Sequence, residues 1–154
     1  MEANLSPEGT NTASYEGDFY AWANEQAGLL RAGRLAEADI AHIAEEIETM
    51  GRSEKRELIS RLTVLLLHLL KWRYQPRLRG TSWNATIRIQ RRDLVAHMDD
   101  NPSLKSVLSH AIAQAYGNAV ISAGAETGLS EATFPEHCPW TFEQSMDENF
   151  WPGV

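Results

Sequence analysis

The chain has 154 residues, 43% of them apolar, and a formal charge of −7 from 14 Lys and Arg against 21 Asp and Glu. That length and apolar fraction suit one domain with a filled core. The acidic balance argues against a dedicated nucleic-acid binder, because the phosphate backbone repels such a molecule as a whole. A single cysteine, Cys138, excludes an internal disulfide framework and any zinc site built on several thiolates. The longest apolar run, Val64 to Leu67, is broken by His68, so no membrane span is expected. Residues 1–14 lack the basic and apolar regions of a signal peptide and read as a mobile tail ahead of a single domain over 15–154, with a cytoplasmic location.

Apolar periodicity predicts a first helix over about 18–32, with Gly33 placed as its C-terminal cap. A second helix, about 36–50, carries Ile40, Ile43, Ile47 and Met50 on one stripe, and Gly51 is expected to end it. A third is expected to start near Ser53 and pack antiparallel to the second. Its Leu58, Leu62, Leu65, Leu69 and Trp72 recur at alternating steps of four and three, with Ile59, Leu66 and Leu70 alongside, so it belongs at the centre of a bundle. Pro76 stops it. A fourth helix runs from about 81 to 98 with Trp83, Ile87, Leu94 and Met98 inward, and Asn101-Pro102 opens a fifth that reaches Thr127 before Gly128. In that fifth helix Ala111, Ala115, Ala119 and Ala123 make one side smooth enough for close approach. The remainder holds Phe134, Trp140, Phe142, Phe150 and Trp151 without a period, and Thr141 with Gln144 can form a capping box. The fold class is all-α: a compact bundle of about five helices with an irregular, aromatic-rich C-terminal cover.

Two groups of residues offer chemistry. Asp39, His42 and Glu46 fall within about 60° on a helical wheel, and His68 on the following antiparallel helix could complete a metal site. The plainer reading is a solvated flank with a His42–Glu46 pair and a hydrogen-bonded His68 at the boundary of the core. The second group is a basic block. Lys71, Arg73, Arg77, Arg79, Arg88, Arg91 and Arg92 lie within twenty-two residues free of acids, interleaved with Trp72, Tyr74 and Trp83. Such a block can clamp nucleic acid or a phosphorylated ligand, pair internally with Glu45, Glu46 and Glu48, or dock an acidic protein. His137-Cys138 is a weak nucleophile signal, because adjacent residues rarely set sulfur and imidazole in hydrogen-bonding geometry. No phosphate loop, nucleophile elbow or zincin motif occurs.

The segments YEGDFYAWANEQAGLLRAGR, HIAEEIETMGRSEKRELISRLTVLLLHLLKW, SWNATIRIQRRDL, NPSLKSVL, AETGL and FPEHCPW together resemble a bacterial domain-of-unknown-function family, family 29. The resemblance spans Tyr15 to Pro152. It implies a small all-α bacterial domain and no established reaction, cofactor or catalytic residue. The leading expectation is therefore a non-enzymatic protein-interaction module, without cofactor, that binds another protein or a second copy of itself through Lys71–Arg92 and Trp83. The alternatives are a metal-dependent enzyme or metal-binding protein using Asp39, His42, Glu46 and His68, and a nucleic-acid or phosphate binder using the basic block.

Overall fold

The computed structural model describes residues 13–153, so all of the expected N-terminal tail but Ala13 and Ser14 lies outside the described residues. Every regular element among the described residues is helical. The described residues fall into two compact units, one ending at Gly51 and the other beginning at Arg52.

In the first unit, helix α1 (Phe19–Arg31) is capped by Asp18, whose carboxylate accepts the Ala21 N–H at 3.1 Å. Its other end closes as a Schellman motif. The Arg34 N–H reaches the Leu29 carbonyl at 2.9 Å and the Gly33 N–H reaches Leu30 at 3.1 Å, with Gly33 at φ +72°, the left-handed conformation that glycine adopts without a Cβ penalty. A short 3-10 turn (Leu35–Glu37) leads to Asp39 and the first turns of helix α2 (Ile40–Tyr74). Burial in this unit falls on Trp22 and Gln26. The expected apolar stripe is largely in solvent, with Ile40, Ile47 and Met50 at 53, 59 and 60% exposure. The reason is rotational. The face of α2 that meets α1 is the Asp39/His42/Glu46 face, and it sets Ile40 and Ile47 about 100° or more round the helix.

The larger correction is at Gly51. Residues 40–74 form one continuous helix of 35 residues, so the expected hairpin does not exist. Gly33 and Gly128 end their helices at φ +72° and +74°, whereas Gly51 is not among the positive-φ glycines. A helix-interior glycine costs about 1 kcal/mol against alanine. The strong helix formers around it, Glu45, Glu46, Glu48, Lys55 and Arg56, outweigh that amount, and no proline intervenes.

The second unit is a helical bundle built on the α2 residues that follow Arg52, with α3 (Thr81–Asp100), α4 (Leu108–Thr127) and the short α5 (Phe142–Met146). The fifth helix expected from the sequence starts as a 3-10 stretch, Pro102–Val107, before α4 proper. Leu58, Leu62, Leu65, Leu66, Leu69 and Leu70 are fully buried on α2, together with Ile87 and Leu94 of α3. Two adjoining leucine stripes make this stretch of α2 the centre of the unit, as its periodicity predicts. Ala111, Ala115, Ala119 and Ala123 of α4 are all 0% exposed, the small residues letting backbones close up. The C-terminal segment lays its aromatics on this core. Phe134 meets Tyr74 edge-on at 5.1 Å, Trp151 meets Trp72 at 4.7 Å, and Thr141 and Gln144 form the expected capping box. Among the described residues, no helix is long and apolar enough to cross a membrane.

Candidate functional site

Asp39, His42 and Glu46 do come together, around aromatic rings. The Asp39 carboxylate accepts from Trp22 Nε1 at 3.1 Å and pairs with His42 Nδ1 at 2.7 Å, while its backbone N–H donates to Gln26 Oε1 at 2.7 Å. The His42 ring stacks on Tyr15 at 4.1 Å and 14°, and the Tyr15 hydroxyl donates to Glu46. That bond to a carboxylate is the main reason the Tyr15 pKa is pushed up to about 12. Asp39 likewise raises His42, and His42 lowers Asp39. Both Asp39 carboxylate oxygens, His42 Nδ1 and Glu46 Oε1 thus have protein partners, and the trio acts as the polar hub that fixes α1 to the start of α2.

His68 belongs to the second unit. It lies 26 residues beyond His42 on the same helix, about seven turns along. It is half-buried and donates its Nδ1–H to the Val64 carbonyl at 2.8 Å; burial is the main cause of its lowered pKa. The second and third helices expected to bring these residues together are the single helix α2.

The basic block is divided between internal and exposed roles. Lys71 sits 3.2 Å from Glu126 and 4.7 Å above the half-buried Trp83 ring. Arg73 lies over Tyr74, and Arg79 lies over Trp72 while donating to the carbonyls of Trp72 at 2.7 Å and Pro152 at 3.3 Å. Arg91 is the most deeply committed at 3% exposure. Its Nε donates to Ser145 O at 2.8 Å and its Nη2 to Phe150 O at 2.7 Å, with the guanidinium against Trp151. Two arginines therefore tie the C-terminal segment to α3 and to the end of α2 through backbone carbonyls. Arg77, Arg88 and Arg92 stay exposed, Arg92 within 3.7 Å of Asp93.

A cleft of about 850 Å³ opens between α3 and this C-terminal segment. Ile89, Val95, Met146 and Trp151 supply its apolar surface, Arg88 and Arg92 stand on one side, and Glu148 stands on the other. Arg91 lines it too, and its Nη1 is buried without an acceptor among the described residues. Burial opposes the charge of this guanidinium, and only the fields of Asp147 and Glu148 offset that. The sequence shows the positive charge of Arg91 but not its burial; its place in the inward row with Ile87, Leu94 and Met98 is the one available signal.

Cys138 is half-buried and its thiol donates to the Trp140 carbonyl at 3.3 Å. Burial pushes its pKa up, opposite to what a thiolate nucleophile needs. A different cluster, Glu54, Glu57 and His97, was not apparent from the sequence, because its members lie on α2 and α3 forty residues apart.

The chain belongs to the family described as Domain of unknown function DUF29, whose model matches residues 14–151. No curated protein and no solved structure matches it significantly.

Proposed function

We propose that this chain is a protein-interaction module that docks an acidic, amphipathic segment of a partner in the cleft between α3 and the C-terminal segment. The observation that carries the reading is Arg91, a buried guanidinium with an unpaired Nη1 in the wall of a cleft that also presents Arg88 and Arg92. The charge of Arg91 is not balanced by any ion pair among the described residues, so carboxylates of a partner lying in the cleft are attracted by Arg91 from behind the wall as well as by the exposed Arg88 and Arg92. Ile89 and Val95, at 48 and 51% exposure, give such a segment an apolar strip to cover. Apolar anchors with a cationic rim are the chemistry of helix-in-groove recognition with electrostatic steering. Of the seven basic residues, Arg88 and Arg92 carry the docking, since Lys71, Arg79 and Arg91 already have internal partners and Arg73 and Arg77 do not line the cleft.

The test is fluorescence anisotropy with a labelled amphipathic peptide bearing Glu on one face and Leu and Phe on the other. Saturable binding that weakens with salt and falls at least about tenfold in R88E/R92E is expected, a change of about 1.4 kcal/mol. Absence of binding, or equal binding by the double variant, removes the reading. Salt-sensitive binding of a DNA duplex in preference to the peptide would move the site to the nucleic-acid class.

A further inference from the structure

Glu54 and Glu57 stand one turn apart on α2 and so share a face, and His97 of α3 points between them. The imidazole is buried, at 8% exposure. Its Nε2 lies 2.9 Å from the backbone carbonyl of Glu54, an atom that can only accept, so Nε2 carries the hydrogen and donates it. That fixes the ring and its tautomer. Nδ1 then faces Glu54 Oε2 at 3.7 Å and Glu57 Oε2 at 3.6 Å, both beyond hydrogen-bonding distance.

The three atoms all lie within 4.8 Å of one another, and among the described residues this is the group of histidine and carboxylate ligands with such convergence. Ligand atoms bound at about 2.0–2.2 Å to one ion stand about 3.4 Å apart at tetrahedral angles, so the two separations from Nδ1 need to close by only a few tenths of an ångström and the two carboxylates by at most about 1.4 Å, within the reach of glutamate rotamers. The surroundings are those of a supported ligand set. Arg61 donates to Glu57 Oε1 from Nη2 at 2.9 Å and from Nε at 3.0 Å, which holds Glu57 with its other oxygen toward His97. Arg61 also reaches Asp93 at 3.2 Å, and Asn101 Nδ2 approaches Glu54 Oε2 at 3.4 Å. A histidine that donates its second nitrogen to a backbone carbonyl, beside carboxylates held by further hydrogen bonds, is the usual second layer of a metal site. The cleft around the cluster, about 510 Å³, sets four carboxylates against a single arginine, which favours a cation.

We propose that Glu54, Glu57 and His97 bind one divalent transition-metal ion, joining α2 to α3 and leaving a coordination position toward the cleft. One imidazole nitrogen with two carboxylate oxygens suits zinc or manganese class ions, which accept mixed nitrogen and oxygen donors. The site is separate from the docking cleft, so the two proposals stand or fall independently.

The experiment is isothermal titration of Zn²⁺ into chelator-treated, tag-free full-length protein, repeated with Co²⁺ for its visible absorption. One site per chain is expected, weakened roughly tenfold or more in E54Q and E57Q and lost in H97N, but unchanged in R88E/R92E. Because His97 is buried, H97N can fail to fold; the two glutamate variants, at half-exposed positions and checked for helicity, then decide. Zinc should also shift the His97 Nδ1 resonance of the wild type. No stoichiometric uptake by the wild type overturns the proposal. So does uptake by E54Q and E57Q equal to the wild type, which would mark adventitious binding elsewhere.

Discussion

Gly51→Ala gives opposite results for a helix hinge and for an uninterrupted helix. At a C-terminal cap like Gly33 or Gly128, with φ above +70°, alanine would be forced into the left-handed region at about 1–2 kcal/mol. In the middle of α2 the residue is helical and a Cβ placed on it meets nothing within 4 Å. Alanine there removes the entropic penalty of glycine without steric conflict, a stabilisation of about 0.4–1 kcal/mol. With a urea dependence of about 1–3 kcal/mol per molar, the midpoint rises by roughly 0.1–1 M. In thermal unfolding the larger figure corresponds to about 2–4 °C. The assay is urea unfolding followed by circular dichroism at 222 nm, with Gly128→Ala as the contrasting variant that loses about 1 kcal/mol or more. A lowered midpoint for Gly51→Ala, parallel to that of Gly128→Ala, would refute the continuous helix and restore the hairpin.

Arg91→Met keeps much of the side-chain volume but removes the donors to Ser145 and Phe150. Loss of two charge-assisted bonds at about 1.5–3 kcal/mol each, partly offset by the removal of a buried charge, should free the C-terminal segment first. Hydrogen exchange over residues 145–153 should then speed up well before the α2 core responds, and uniform exchange across the whole second unit would contradict the clamp. The Asp39–His42 pair sets a pH window. The raised His42 pKa contributes stability that is complete below its ordinary value of 6.5 and lost as pH rises through the higher folded value. The lowered Asp39 pKa contributes stability present above its ordinary 3.8 and lost as pH falls through the lower folded value. The stability difference between wild type and His42→Ala should therefore be largest between those two values and shrink above neutrality. A difference that stays flat from acid to alkaline pH would exclude the pair as a contributor.

Much of this protein is legible in its residues because the deciding forces act within one helix. The leucine spacing from Leu58 to Leu69 predicts a core helix, and those side chains are buried. The alanine ladder of α4 and the Thr141–Gln144 box are also local patterns, and both take the form their spacing predicts. The family resemblance, carried by motifs spread along the chain, agrees with the family model. Gly51 is where local reading fails, because a glycine marks a stop only when its backbone turns left-handed, and that conformation is not written in the residue. Which face of α2 meets α1 is equally undetermined by periodicity. Ile40 and Ile47 offer the apolar stripe, yet the hydrogen bonds of Trp22, Gln26 and Tyr15 with Asp39 and Glu46 turn the polar face inward. The sites depend on the tertiary structure most of all. Half of the lysine and arginine side chains lie in one run of twenty-two residues, but only folding separates Arg91, buried against backbone carbonyls, from the exposed Arg88 and Arg92. Glu54, Glu57 and His97 are unremarkable charges on two helices until the packing of α3 on α2 brings one imidazole nitrogen between two carboxylates. Sequence alone determined the all-helical class and the buried faces of the second unit's core helices, since those follow from the 3.6-residue repeat. Only the packed structure decided which polar atoms meet, because convergence across helices depends on rotation and register that no single helix encodes.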